Sequence, residues 1–99
     1  MPFVYLLRCA DESLYCGWTV DVDKRVAQHE AGRASRYTAS RRPLALAAAW
    51  EVATNTDARR MEARIKRLSR AEKTALVGGA PVAGVGPATG AVRFAPPDA

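Results

Sequence analysis

Two short apolar runs open the chain, Phe3-Val4-Tyr5-Leu6-Leu7 and Leu14-Tyr15-Cys16-Gly17-Trp18, with the polar segment Ala10-Asp11-Glu12-Ser13 between them. Both are rich in β-branched, aromatic and aliphatic residues, and the connection holds turn formers, so the pair predicts a β-hairpin. Side chains alternate along a strand. An odd loop, or an even one with a bulge, puts Tyr5 and Tyr15 on one face with Leu7, Cys9 and Gly17, and Val4, Leu6, Leu14, Cys16 and Trp18 on the other, more apolar face. One face is suited to packing and the other carries two phenols.

Downstream the period changes. Asp21 can cap a helix from Val22 to Ala31, with Gly32 as its stop. Val22, Arg25, Val26 and His29 fall at i, i+3, i+4 and i+7, a stripe half apolar and half cationic. Such a helix suits the rim of a core, where Arg25 and His29 can reach the phenol face; from spacing alone, a partly exposed surface residue is the plainer reading of His29. Arg33 to Pro43 has no apolar period and reads as a loop. Leu44 to Val52 is nearly uncharged and predicts a third strand, favoured over a helix by Pro43, which pushes the preceding residue into extended geometry. Thr54 and Asp57 form a capping pattern for a helix reaching Leu68, with Ala58, Met61, Ile65 and Leu68 as its core stripe and Arg59, Arg60, Arg64 and Arg67 outward. Glu62 lies at the edge of that stripe, one turn before Lys66, where an i,i+4 ion pair on the helix surface is the plain reading. Ser69 and Glu72 form a capping box for a last helix ending near Val77, where Gly78-Gly79 stop it.

The expected fold is therefore α+β: a three-stranded antiparallel sheet flanked by helices, in the order β-β-α-β-α-α. Residues 78–99 hold five of the seven glycines and four of the six prolines, and are expected to form a disordered Gly/Pro/Ala-rich tail behind a single domain of residues 1–77.

Charge narrows the partner. The 99 residues carry a formal charge of +5, which leans toward a polyanion. Twelve of the fifteen basic residues are arginine, suited to bidentate contacts with phosphate, although a GC-rich coding bias produces the same skew. Arg33, Arg36, Arg41 and Arg42, interleaved with Ser35, Tyr37, Thr38 and Ser40, could track a phosphate backbone and stack on an exposed base, or form a solvated basic loop. Neither a signal peptide nor a run of about 18 apolar residues is present, so a soluble cytoplasmic protein with no membrane partner is expected. Two cysteines on opposite faces and one histidine make neither a disulfide nor a zinc site.

Taken in order, these residues resemble the GIY-YIG endonuclease superfamily, in particular its small stand-alone bacterial members. Phe3-Val4-Tyr5 stands for the first motif and Tyr15-Cys16-Gly17 for the second. Arg25 falls at the spacing of the essential arginine, His29 at that of a His or Tyr one turn later, and Glu62 at that of the metal-binding glutamate. There are departures: the first motif lacks its glycine, Trp18 replaces a Lys or small polar residue, and Glu12 replaces the usual loop glycine. An acidic side chain there would repel phosphate, so either Glu12 points away from the site or the loop differs.

The resemblance implies a catalytic set of Tyr5, Tyr15, Arg25, His29 and Glu62 acting on DNA, RNA being left open, and the basic segment with Arg33, Arg36, Tyr37, Arg41 and Arg42 is then the expected nucleic-acid contact. Tyr5 would be the base for water, Tyr15 would orient water or a phosphate oxygen, and Glu62 would hold one Mg2+ or Mn2+. A phenol of pKa about 10 is ionised in about one part in a thousand at pH 7, so Arg25, His29 and the ion would have to promote loss of its proton. The implied activity is metal-dependent nicking of open or branched DNA with little sequence preference. A catalytically weak or inactive nucleic-acid-binding module on the same fold is the alternative, and a monomer is the assumed unit.

Overall fold

The computed structural model describes residues 1–79 and 92–94. The two opening runs form β1 (Phe3–Arg8) and β2 (Leu14–Thr19), followed by α1 (Val22–Glu30), α2 (Arg36–Ala39), β3 (Ala45–Glu51), α3 (Asn55–Lys66), α4 (Arg70–Val77) and β4 (Val92–Phe94). The strands lie in the order β2-β1-β3-β4, and every neighbouring pair is antiparallel.

The five residues between β1 and β2 give the odd loop that the phenol register needs. Arg8 pairs with Leu14, Leu7 with Tyr15 and Tyr5 with Gly17. The loop closes through Cys9 N–H to Ser13 O and Glu12 N–H to Cys9 O, both at 2.9 Å. Glu12 has φ 67°, the left-handed region that glycine occupies without strain. Its carboxylate lies beside Arg8, at 3.9 Å, and shares a surface cleft with Arg70 and Thr74, away from the two phenols as expected.

Helices cover both faces of the sheet. On one face Val4, Leu6, Cys16, Ala48 and Trp50 pack with Ala58, Met61 and Ile65 of α3 and Leu76 of α4, with Leu14 and Trp18 at the margin. On the other, Tyr5, Leu7 and Ala49 pack with Tyr15, Val26, Leu44 and Leu46. The two faces thus divide as alternation requires. The phenol face is not open, however: α1 lies over it, and Tyr5 is only 2% exposed. Cys9 and Cys16 are both buried free thiols.

Two elements depart from expectation. Within residues 33–43, expected as a loop, Ser35 caps the single turn α2 by accepting from Thr38 N–H at 3.1 Å. Its four residues are too few to show an apolar period. Within the stretch 78–99, expected to be unstructured, Val92–Phe94 forms β4 on the outer edge of β3; residues 80–91 and 95–99 lie outside the described residues. Among the described residues, no helix is long and apolar enough to cross a membrane.

Candidate active site

Tyr5 stands on the central strand β1, directly opposite Gly17 of β2. A Cβ on residue 17 would lie 2.5 Å from the Tyr5 hydroxyl oxygen and 2.7 Å from Cζ. Any side chain there would displace the phenol, so the glycine of Tyr15-Cys16-Gly17 is required by close approach rather than by backbone angle.

The phenol meets α1. Tyr5 Oη lies 2.8 Å from His29 Nε2, and the ring centroids are 5.7 Å apart in an edge arrangement. The Tyr15 ring also stands edge-on to His29, at 5.1 Å. His29 is 1% exposed, so the reading of a partly exposed surface residue does not hold: the stripe that carries it packs inward against the hairpin. Its other nitrogen, Nδ1, is 2.8 Å from Thr38 Oγ1, and Thr38 Oγ1 is 2.8 Å from Ser35 Oγ.

Burial raises the Tyr5 pKa above the phenol's ordinary value, with nearby Tyr15 adding to it; Arg25 pulls the other way without prevailing. Surroundings that lower this pKa, as deprotonation by solvent would need, are therefore not what the fold provides. Burial, helped by the Arg25 charge, lowers the His29 pKa and keeps the ring neutral.

An open cavity of about 480 Å³ is lined by Tyr5, Tyr15, Gly17, Trp18, Arg25, Glu62 and Lys66, among others. It lies at the β2 edge of the sheet, where α1 reaches it from one face and α3 from the other. Trp18, on the face opposite the phenols, enters it around this edge, with the Arg59 guanidinium 5.7 Å from its ring centre. Arg25 has no ion-pair partner among the described residues. Glu62 keeps 23% side-chain exposure and lies 3.3 Å from Lys66 Nζ, so it lines the cavity and also makes the i,i+4 pair. Among the described residues, no three His, Cys, Asp or Glu side chains cluster as a metal cage. A lone carboxylate beside two phenols suits a hard cation that retains most of its waters, so the donor set fits Mg2+ or Mn2+.

The arginine segment divides. Arg41 bonds Asp11 at 3.0 Å and the Tyr37 carbonyl at 3.1 Å, and lies 3.8 Å from the Tyr37 ring centre. Arg42 donates to the carbonyls of Ala39 and Glu30. Tyr37 also stacks on Tyr15, with centroids 5.9 Å apart, so its ring is engaged by the protein and 38% exposed. Arg33 and Arg36 are exposed, and their side chains bind no partner among the described residues. Reading from sequence missed Lys66 as a cavity residue, and missed Ser35 and Thr38 behind His29. The Ser35-x-x-Thr38 spacing carried a local signal, that of a helix cap.

The family model for the GIY-YIG catalytic domain matches residues 1–75. A UPF0213 protein of Syntrophus aciditrophicus is 43% identical over 76 residues, covering 76% of this chain and 87% of its own length. One from Halobacterium salinarum is 45% identical over 76 residues, covering 77% of this chain and 99% of its own. The solution NMR structure of a UPF0213 protein from Bacillus halodurans superposes with a TM-score of 0.52 at 42% identity, covering 79% of this chain and 84% of that one.

Proposed function

The chain belongs to the GIY-YIG catalytic domain family, and on that premise we propose that it is a metal-dependent endonuclease that hydrolyses DNA phosphodiester bonds. The observation that carries this reading is the Tyr5 hydroxyl held 2.8 Å from His29 Nε2 at the wall of a cavity that also collects Tyr15, Arg25 and Glu62.

Hydrolysis needs a base for water, positive charge at the phosphate and relief for the leaving oxygen. In this proposal Tyr5 passes its proton to the neutral His29 ring and, as phenolate, takes one from the attacking water. Water oxygen then bonds to phosphorus as the ester bond breaks, and the leaving oxygen takes a proton from solvent, to which His29 returns its own through Tyr5. Tyr15 orients water or a phosphate oxygen. The guanidinium of Arg25, free of a carboxylate partner among the described residues, faces the charge that builds on the phosphate. Glu62, released from Lys66, would hold one Mg2+ or Mn2+, which supplies Lewis-acid charge at the phosphate when bound.

A single Tyr5/Tyr15/Arg25/Glu62 set acts on one strand per encounter, so nicking is the proposed outcome. Arg33 and Arg36 are the cations best placed to take phosphates, because Arg41 and Arg42 are already bonded within the protein. Phosphate contacts carry no base sequence, and little sequence preference follows.

A second reading has its own support. The firmly held Tyr5 proton and the Glu62–Lys66 pair suit a module that binds nucleic acid without cutting it. Incubation with single-stranded, duplex, flap and branched DNA, and with RNA, in Mn2+ or in EDTA separates the two. The nuclease reading expects metal-dependent nicks, most on open or branched DNA. Binding of the same ligands with no product in either condition would return the chain to the binding module.

A further inference from the structure

Behind the cavity wall, hydrogen-bonding atoms form a file: Tyr5 Oη, His29 Nε2, His29 Nδ1, Thr38 Oγ1 and Ser35 Oγ, each contact between residues being 2.8 Å. Thr38 is 0% exposed and His29 1%, so no bulk water substitutes for either partner. Ser35 is fixed in turn as the N-cap of α2, accepting from Thr38 N–H.

We infer that Thr38, held by Ser35, is a positioning residue that fixes the His29 ring to receive the Tyr5 proton. The inference rests on the reading of Tyr5 as the base for water.

When Tyr5 gives up its proton, the phenol O–H bond breaks and an N–H bond forms at Nε2. Both ring nitrogens then donate. Nε2–H has the Tyr5 phenolate as acceptor. Nδ1–H needs a second acceptor in a place water does not reach, and Thr38 Oγ1 is the atom within hydrogen-bonding distance of it. The Thr38 hydroxyl proton must then turn elsewhere, and the Ser35 carbonyl, which can only accept, lies 3.4 Å away. Before transfer the same arrangement places the proton of the neutral ring on Nδ1 and leaves Nε2 bare toward the phenol. In the opposite tautomer Nε2–H would donate to the phenol oxygen, and that nitrogen could not take the Tyr5 proton. The Thr38 hydroxyl thus selects the competent ring. Among the described residues, Tyr15 and Arg25 also lie near the ring. Neither is bonded to Nδ1.

The chain has one histidine, so nitrogen NMR of ring-labelled protein reads this tautomer without overlap. Wild type is expected to carry its proton on Nδ1. Thr38→Val keeps the shape and the backbone N–H to Ser35 but removes the acceptor. It should shift the ring toward the Nε2–H tautomer and lower kcat by about 10- to 100-fold, the size expected when a buried polar group loses its partner, with KM for DNA unchanged. Thr38→Ser, which restores the hydroxyl, should recover both tautomer and rate. A Thr38→Val protein that retains the Nδ1–H tautomer and full kcat would overturn the inference, as would equal loss in the Val and Ser variants. If wild type cuts no nucleic acid, the nuclease reading fails while the tautomer comparison still decides whether Thr38 sets the ring.

Discussion

Tyr5→Phe is expected to lower the rate of DNA cleavage by about 10²- to 10⁴-fold, the range general-base catalysis supplies, while binding of the same DNA stays near that of wild type. The phenyl ring fills the same space over Gly17, so the sheet register is kept. What is lost is the hydroxyl 2.8 Å from His29. His29 Nε2 then lies buried without its partner, at a cost of about 1–3 kcal/mol that denaturant titration should register.

The pH profile distinguishes the route of the proton. If Tyr5 had to ionise to solvent, its raised pKa would make the rate climb with pH throughout the neutral range. With His29 as acceptor, the rate should be level above about pH 7 and fall as His29 becomes protonated, below the ordinary histidine value of 6.5, because burial and Arg25 depress its pKa. Stability should share this direction. The fold favours the neutral ring, so the contribution is fully present above pH 6.5 and is lost as pH falls toward the lower folded-state pKa. A wild-type rate that rises tenfold per pH unit from 7 to 9 would contradict the relay, and a fully active Tyr5→Phe protein would remove Tyr5 as the base.

The second large effect is expected at Glu62. Glu62→Gln keeps length and helix propensity but removes the charge that would attract a divalent ion, and cleavage at a fixed Mg2+ or Mn2+ concentration should fall by about 10²- to 10³-fold, in line with several kcal/mol of metal assistance. Folding should hardly notice. The Glu62–Lys66 pair lies 3.3 Å apart with Lys66 54% exposed, and i,i+4 pairs of this kind contribute only a few tenths of a kcal/mol. Excess metal should recover part of the rate. Unchanged cleavage at limiting Mg2+, with a lowered melting temperature, would leave Glu62 as a helix-surface residue only.

The hairpin and its two faces were legible because a period-2 pattern and a five-residue loop leave one register that buries Val4 and Leu6 together. The helices were legible through their caps: Asp21, Thr54 and Ser69 each accept a backbone N–H at the predicted start. Burial of His29 was not, because its partners Tyr5 and Thr38 come from segments 24 and 9 residues away, and helical spacing says nothing about what covers a stripe. For the same reason four neighbouring arginines looked equivalent, although Asp11, Ala39 and Glu30 engage two of them. Strand β4 lay hidden in a stretch whose composition lacks an apolar period, and it pairs with β3 more than 40 residues earlier in the chain.

That pairing bears on whether copies of the molecule can join through their sheets. Strand β3, Ala45–Glu51, carries no charge before Glu51, and an uncharged strand edge is a ready template for another chain. One of its sides is taken by β1; on the other, Val92–Phe94 covers Ala49, Trp50 and Glu51. Three residues thus guard half of an adhesive edge. A chain ending before Val92 is expected to keep its cavity yet self-associate as concentration rises, visible as faster-sedimenting species, and colloidal behaviour here would depend on a segment remote from the chemistry.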